Sequence, residues 1–373
     1  MQKFPGLVGP QGRDRNLTFN AEAAINLIVQ RADGGTPKSE SQEYQRPGLD
    51  LFASAGSGPI TAMLGQDGRC FVCSGVRFCE VLPSGNVTTI GTINYTGFPA
   101  TLSTSGAEGH QVFITSGGLG YIYDTSTDTL TQITDPAFPT FVSQGLFFDS
   151  SFLVLNAANG AFMVSDLYDG LNWNGLNVGL ESQFSDKVVA FTKTHDNLWL
   201  FGTRNTAPWA NNGAGGAAGF VPIPGSVIEH GTAAAFACVE VDNAPMWLGQ
   251  DAQGSYVVWR ANGYTPVKVS TFAIEYELAQ VADLSRSIAM TYQELGHTFY
   301  VLYVPGLDYS FVYDLASEEW TLFAHWVPRI GNWMPYVGTT HTFIWGKHLV
   351  GDRRSGAIYE QSLSLPTDNV VTL

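Results

Sequence analysis

The stretch "GYIYDTSTDTLTQITD", Gly120–Asp135, has an echo 190 positions later in "SFVYDLASEEWTLFAH", Ser310–His325. Each writes an aromatic-x-Tyr-Asp step, five further residues, and then a large apolar residue, Leu130 in the first and Trp320 in the second. An alternating run that stops at Asp and becomes apolar again after five intervening residues reads as a β-hairpin. Asp124 and Asp314 start the turn, because an aspartate side chain accepts hydrogen bonds from backbone amides two residues on. Leu130 and Trp320 return to the sheet. One hairpin written twice at such a distance implies a repeat.

Period-2 apolar runs recur along the chain: "RCFVCSG", "HQVFITSGGLGYIYD", "GLFFDSSFLVLNA", "NLWLFGT", "MWLGQDAQGSYVVWR", "GHTFYVLYV" and "HTFIWGKHLVG". Each is short, aromatic-rich and bounded by Gly, Asn or Asp, as strands are. Behind each comes an aromatic anchor: Phe78, Tyr123, Phe162, Trp209, Trp259, Tyr313 and Tyr359. The intervals are 45, 39, 47, 50, 54 and 46 residues. A period of about 40–50 residues with four short strands per unit is the pattern of β-propeller blades. The sequence therefore predicts an all-β fold, a β-propeller of about seven four-stranded blades, with eight as the alternative count. The propeller is expected over residues 58–373. Residues 1–57 are expected to form an N-terminal arm, a partial blade or the strand that closes the ring. Within them "NAEAAINLIVQRADGG" suits a helix capped by Asn20 or a strand through "INLIVQ", and "YQRPGLDLFAS" is extended around Pro47.

Composition supports this reading and excludes others. The chain has 373 residues with 41 Gly, 18 Pro and 13% aromatic residues, which favours short elements and tight turns. Acids outnumber bases 33 to 18, for a net charge of −15, so a grip on a phosphate backbone is disfavoured. The N-terminus has no signal-peptide h-region and no apolar run reaches membrane-spanning length, which predicts a soluble protein made in a cytoplasm.

Several local patterns invite sharper readings. Cys70 and Cys73 form a C-x-x-C, but strand alternation points them to opposite faces. With Cys79 and Cys238 they are expected to be packing residues. The sequons at Asn16, Asn86 and Asn94 mean little without secretion. Asp124, Ser126, Asp128 and Asp135 occupy positions 1, 3, 5 and 12 of a calcium-loop-like pattern, yet Thr129 stands where the loop needs Gly, so a plain hairpin is favoured. "SDLYDGLNW", Ser165–Trp173, is similar to the sialidase Asp-box with altered spacing, since Asp169 adjoins Gly170. Such a box is a folding element. The arginines are scattered apart from Arg353 and Arg354, and the histidines show no H-x-x-x-H spacing. His297 and His341 both precede "TF" and are read as equivalent blade positions. The aromatics of "PWANNG" and "GNWMPYVG" suit packing between blades ahead of a sugar cleft. No nucleophile elbow or P-loop is present, and no catalytic, cofactor-binding or metal-binding residue is assigned.

The Tyr-Asp then Trp step is similar to kelch-type blades. The order of motifs across nearly the whole chain resembles the tail accessory factors of short-tailed bacteriophages, also called packaged-DNA stabilisation proteins. The residues that carry the resemblance are "RPGL" at Arg46–Leu49, "GGLGYIYD" with "QITD", "SDLYDGLNWNGLNVGLESQFSDKVVAF", "LWLFGTRNT" followed by "PW", "GSVIEHG", "WLGQDAQGSYVVWRANGYTPVKVST", and "GHTFYVLYVPG" leading to "FVYD" and "EEW". "TRNTAPW" departs from the acidic or β-branched filling expected before that Trp. Members often continue past the propeller, so an extension beyond Leu373 is an open expectation.

The resemblance implies a non-enzymatic virion protein of the tail hub or nozzle, assembled in the host bacterial cytoplasm without a cofactor. Its partners would be copies of itself in a ring, usually six, the adaptor and portal, tail fibre or tip proteins, and double-stranded DNA in transit. Channel-lining and assembly residues are not assigned. A carbohydrate-binding or carbohydrate-degrading propeller at the host surface is the alternative, and a kelch-like cytoplasmic scaffold a third.

Overall fold

The computed structural model describes residues 24–31, 41–251 and 253–370. Seven antiparallel sheets follow one another as blades: 60–92, 101–132, 142–179, 188–222, 239–268, 288–335, and 338–362 together with Gly48–Ser54. Six have four strands. Blade 6 has a fifth, Asn332–Pro335, paired to the end of Glu319–Val327.

All seven aromatic anchors fall on the third strand of a blade, and all are buried. The echo is the hairpin between third and fourth strands, with Tyr123 opposite Leu130 in blade 2 and Tyr313 opposite Trp320 in blade 6. In blade 2 Asp124 Oδ1 accepts from the amides of Ser126 and Thr127 at 2.8 and 3.2 Å and from the Ser126 hydroxyl at 2.6 Å. In blade 6 Asp314 accepts from Ala316 and Ser317 at 3.0 and 3.3 Å, and also from the Ser317 hydroxyl at 2.7 Å. Asp314 is buried and additionally holds His297 Nδ1 at 2.7 Å, whereas Asp124 is half-buried at a turn facing water. Hydrogen bonds to a buried charge outweigh those at a wet turn. Asp314→Ala is therefore expected to destabilise by about 2–3 kcal/mol and Asp124→Ala by less than about 1 kcal/mol in urea titrations. Equal effects would mean that the two turns are energetically interchangeable.

The core is divided. Seven hydrophobic clusters each lie between two adjacent blades, for example Phe71, Cys73 and Phe78 against Ile114, Tyr121 and Tyr123 at the blade 1–2 seam. The next cluster takes the other face of the same blade 2 strands, with Phe113 and Ile122 against Phe152 and Trp173. Middle strands are thus buried on both faces. That is why runs such as "QVFIT" and "FLVLN" are almost continuously apolar.

The ring closes between its two chain ends. Gly48–Ser54 pairs with Ala357–Ser362, Leu51 opposite Tyr359. Before it, Leu27–Arg31 and Ser41–Gln45 form a hairpin beside blade 6, held there by the Asn26 amide on Leu322 O at 2.7 Å. The INLIVQ segment is therefore a strand from Leu27, while Asn20 lies outside the described residues. Between blades 5 and 6 a short helix, Phe272–Leu278, starts at Thr271, whose side chain accepts from the Ile274 amide.

Candidate functional surfaces

The seven innermost strands surround an axial cavity of about 530 Å³. Its wall mixes small and hydroxyl-bearing residues such as Ala62, Thr101, Ser103 and Thr340 with larger ones such as Ile60, Phe98 and Phe191, and side chains of the inner strands tie neighbouring blades together. Thr342 Oγ1 accepts from the Gly65 amide at 2.9 Å, joining blades 7 and 1. Thr101 Oγ1 accepts from Gly145 at 2.9 Å, joining blades 2 and 3. Gln144 accepts from the Phe191 amide at 2.9 Å and donates to Ala235 O at 3.0 Å. Such ties stiffen the axis.

Three charged residues, Lys193, Glu240 and Arg353, line the cavity. Lys193 donates to Phe147 O at 2.7 Å, and its ammonium pKa is lowered, chiefly by burial. Burial raises the Glu240 carboxyl, and Lys193 and His195 work against that rise. Arg353, its guanidinium 4.5 Å from the centre of the Tyr303 ring, adds a second positive charge to the wall.

The turns tell a different story. Connections between first and second strands carry or adjoin a carboxylate in six of the seven blades: Asp67, Glu108, Asp149, Asp196, Asp242 and Glu294. Because every blade meanders the same way, these turns share one side of the disc. Six of the 33 acidic residues thus share one side of the disc, where Asp242 lies 3.6 Å from Arg260. Sequence reading found the charge; only the strand order shows its arrangement.

The patterns that suggested chemistry resolve into structural roles. Asp124 caps its own turn, and Asp128 accepts from Tyr123 Oη at 2.6 Å and Arg69 at 3.1 Å. Asp135 accepts from Ala137 and Trp173 amides. These carboxylates serve three separate networks. In the Asp-box-like hairpin Asp169 accepts from the Leu171 amide at 3.0 Å, and the buried Trp173 indole donates to Gly170 O at 2.8 Å. It fixes a blade corner.

Cys70 and Cys73 lie on opposite faces of Arg69–Ser74 and enter different clusters. Burial pushes the Cys70 and Cys238 thiols up to about 12 and raises Cys73 and Cys79 too, so none is poised as a thiolate. Trp209 and Tyr336 pack between blades, whereas Trp333 meets the half-exposed Trp326 edge to face at 5.4 Å between ring centroids.

His297 opens the second strand of blade 6, but His341 lies inside the first strand of blade 7, so they are not equivalent. A His-Thr-Phe triplet suits either strand, and only the pairing register distinguishes them. His341 Nε2 instead meets His348 Nδ1 at 3.0 Å. Burial, then His348, pushes the His341 imidazole down to about 3, and burial also lowers His348 and His325. A base with a depressed folded pKa stabilises the fold above its unfolded pKa of about 6.5 and loses that contribution as pH falls towards the folded value. The raised carboxyls of Glu240 and Glu294 act in the opposite sense near pH 4–5. Urea midpoints are expected to drop between pH 7 and pH 5.5, and His341→Gln to shrink that drop; an unchanged drop would remove His341 from the effect.

No helix among the described residues is long and apolar enough to cross a membrane. Solved structures share the fold at low identity. The extracellular domain of BT4673 from B. thetaiotaomicron matches with a TM-score of 0.55 at 9% identity, over 85% of this chain and 40% of that one. Virginiamycin B lyase from Staphylococcus aureus matches at 0.52 and 12%, over 90% and 99% of the two chains. YCF48 from Cyanidioschyzon merolae matches at 0.52 and 10%, over 85% and 100%. This chain thus spans less than half of the first of these proteins and almost all of the other two. Among curated proteins no sequence matches it. Residues 2–364, which take in all seven blades, match the family described as "Bacteriophage P22 Gp10, beta-propeller", and the chain belongs to that phage family.

Proposed function

We propose that this protein is a non-enzymatic virion component of a short-tailed phage. Six copies form a ring below the portal and adaptor, continue the DNA channel, and retain the packaged genome. The family match over residues 2–364 carries the reading. The fold supports it, because a propeller with buried seams is a rigid block with few open edges, suited to repeated lateral contact.

The net charge of −15 supports it as well. A conduit must let the duplex pass, and a wall that repels phosphate reduces sticking. Retention is then mechanical, by closure of the passage. Tail fibre or tip proteins are the expected neighbours at the distal end, and assembly takes place in the host cytoplasm.

Antibody labelling of intact particles, imaged by electron microscopy, tests the proposal. Label confined to the distal end of a short tail is expected, followed by a symmetric multi-copy density in reconstruction. Unlabelled particles, with the protein free in the cytoplasm, would overturn it.

A further inference from the structure

The seam between blades 6 and 7 opens into a cavity of about 770 Å³, on the side of the carboxylate-bearing turns. Tyr292 and Glu294 of blade 6 line it opposite His341, Phe343, His348 and Gln361 of blade 7. Tyr292 Oη is buried there without a hydrogen-bond partner among the described residues, the residue being only 3% exposed, while the Glu294 carboxyl takes hydrogen bonds from the Gln361 side chain and from Leu363. Buried polar atoms in folded proteins are satisfied as a rule. A phenol left unpaired calls for a group that can accept from it or donate to it, which is what a hydroxyl does.

The facing wall is aromatic. Phe343 is 59% exposed at the mouth, its ring 4.7 Å from His348, which stacks on His341 at 5.3 Å. The His341–His348 hydrogen bond requires one imidazole to accept, and burial keeps both pKa values low. An anion therefore finds no histidinium here. Lys347 at the rim is already paired with Glu360. Nor do the described residues hold three His, Cys, Asp or Glu side chains placed for a metal ion. The remaining fit is an uncharged molecule with hydroxyls along one edge and an apolar face.

We propose that this seam binds an uncharged sugar residue, its C–H face on Phe343 and a hydroxyl on Tyr292. The site goes beyond the tail-ring role and stands apart from it, since either can hold without the other.

The test uses the purified full chain with free D-glucose, D-galactose, D-mannose, L-rhamnose and N-acetylglucosamine, followed by saturation-transfer NMR and calorimetry. At least one sugar is expected to bind saturably. Tyr292→Phe deletes only the hydroxyl and Phe343→Ala only an exposed ring, so both variants should keep the parent melting temperature. Each is expected to weaken binding about tenfold. Phe272→Ala, on the exposed face of the short helix, should leave binding unchanged. No saturable binding by any of the five sugars, or binding indifferent to both seam substitutions, would overturn the assignment.

Discussion

Arg46→Ala is expected to lower the free energy of unfolding by about 3–5 kcal/mol, the scale set by breaking a buried ion pair from one side. Arg46 is only 4% exposed yet carries a full charge. Its Nε donates to Asn26 Oδ1 at 2.7 Å, Nη1 to Pro47 O at 2.7 Å and Nη2 to Ala324 O at 3.2 Å. Nη2 also pairs with the Asp368 carboxylate. The guanidinium lies over Phe323 and Tyr336, at 5.5 and 5.1 Å from the ring centroids. One side chain thus joins the N-terminal hairpin, blade 6, the connection to blade 7 and the C-terminal segment. Removing it orphans Asp368 and frees Asn26, which also accepts from the Ala324 amide at 2.9 Å.

For a chain of this size such a loss corresponds to a fall of roughly 5 °C in melting temperature, taking the usual unfolding entropy per residue. Arg31→Ala is the control. Its pair with Glu319 at 2.7 Å is half-exposed on the arginine side, and surface pairs contribute less than about 1 kcal/mol. A double-mutant cycle of Arg46→Met with Asp368→Asn separates the pair from the packing. Coupling near zero, or an Arg46→Ala curve matching that of Arg31→Ala, would refute the hub.

The parts of this structure that a sequence discloses are those with local causes. A Tyr-Asp step followed by a returning Leu or Trp encodes its own hairpin, so the echo at Asp124 and Asp314 marked two blades. The anchors Phe78 to Tyr359 then counted all seven. Cys70 and Cys73 separate by strand alternation alone. Arg46 stood out only as part of an "RPGL" landmark, because its partner Asp368 is 322 residues away and nothing local marks that contact. The helix at Phe272–Leu278 was missed, since seven residues in a blade connection carry too little period to outweigh the surrounding β pattern. The seam cavity needs Tyr292 and Glu294 from one blade and Phe343 from the next. No spacing along the chain brings those three together.

Removing residues 1–55 is expected to abolish cooperative unfolding, and adding a synthetic peptide spanning residues 41–57 to restore it. Without Gly48–Ser54, the third strand of blade 7 becomes an unpaired edge, the kind of surface that recruits other chains. Leu49, fully buried, leaves the blade 6–7 cluster, and Ala53 and Ala55 leave the cluster between blades 7 and 1. The C-terminal segment loses its hold too, since the Asn369 amide donates to Leu49 O at 2.7 Å and its side chain to Asp50 at 3.0 Å. Two chain ends are therefore released by one cut. A subtler variant separates closure from general loss of chain. A Cβ on Gly48 would sit 2.4 Å from Leu365 O and 2.6 Å from Thr367 O, both backbone atoms that cannot swing aside. Gly48→Ala should push the closing strand outward, cost about 1–3 kcal/mol, and speed amide exchange first at 357–362. A truncated chain that melts like the parent, or a Gly48→Ala variant whose exchange quickens evenly in all blades, would show that the ring does not depend on this strand.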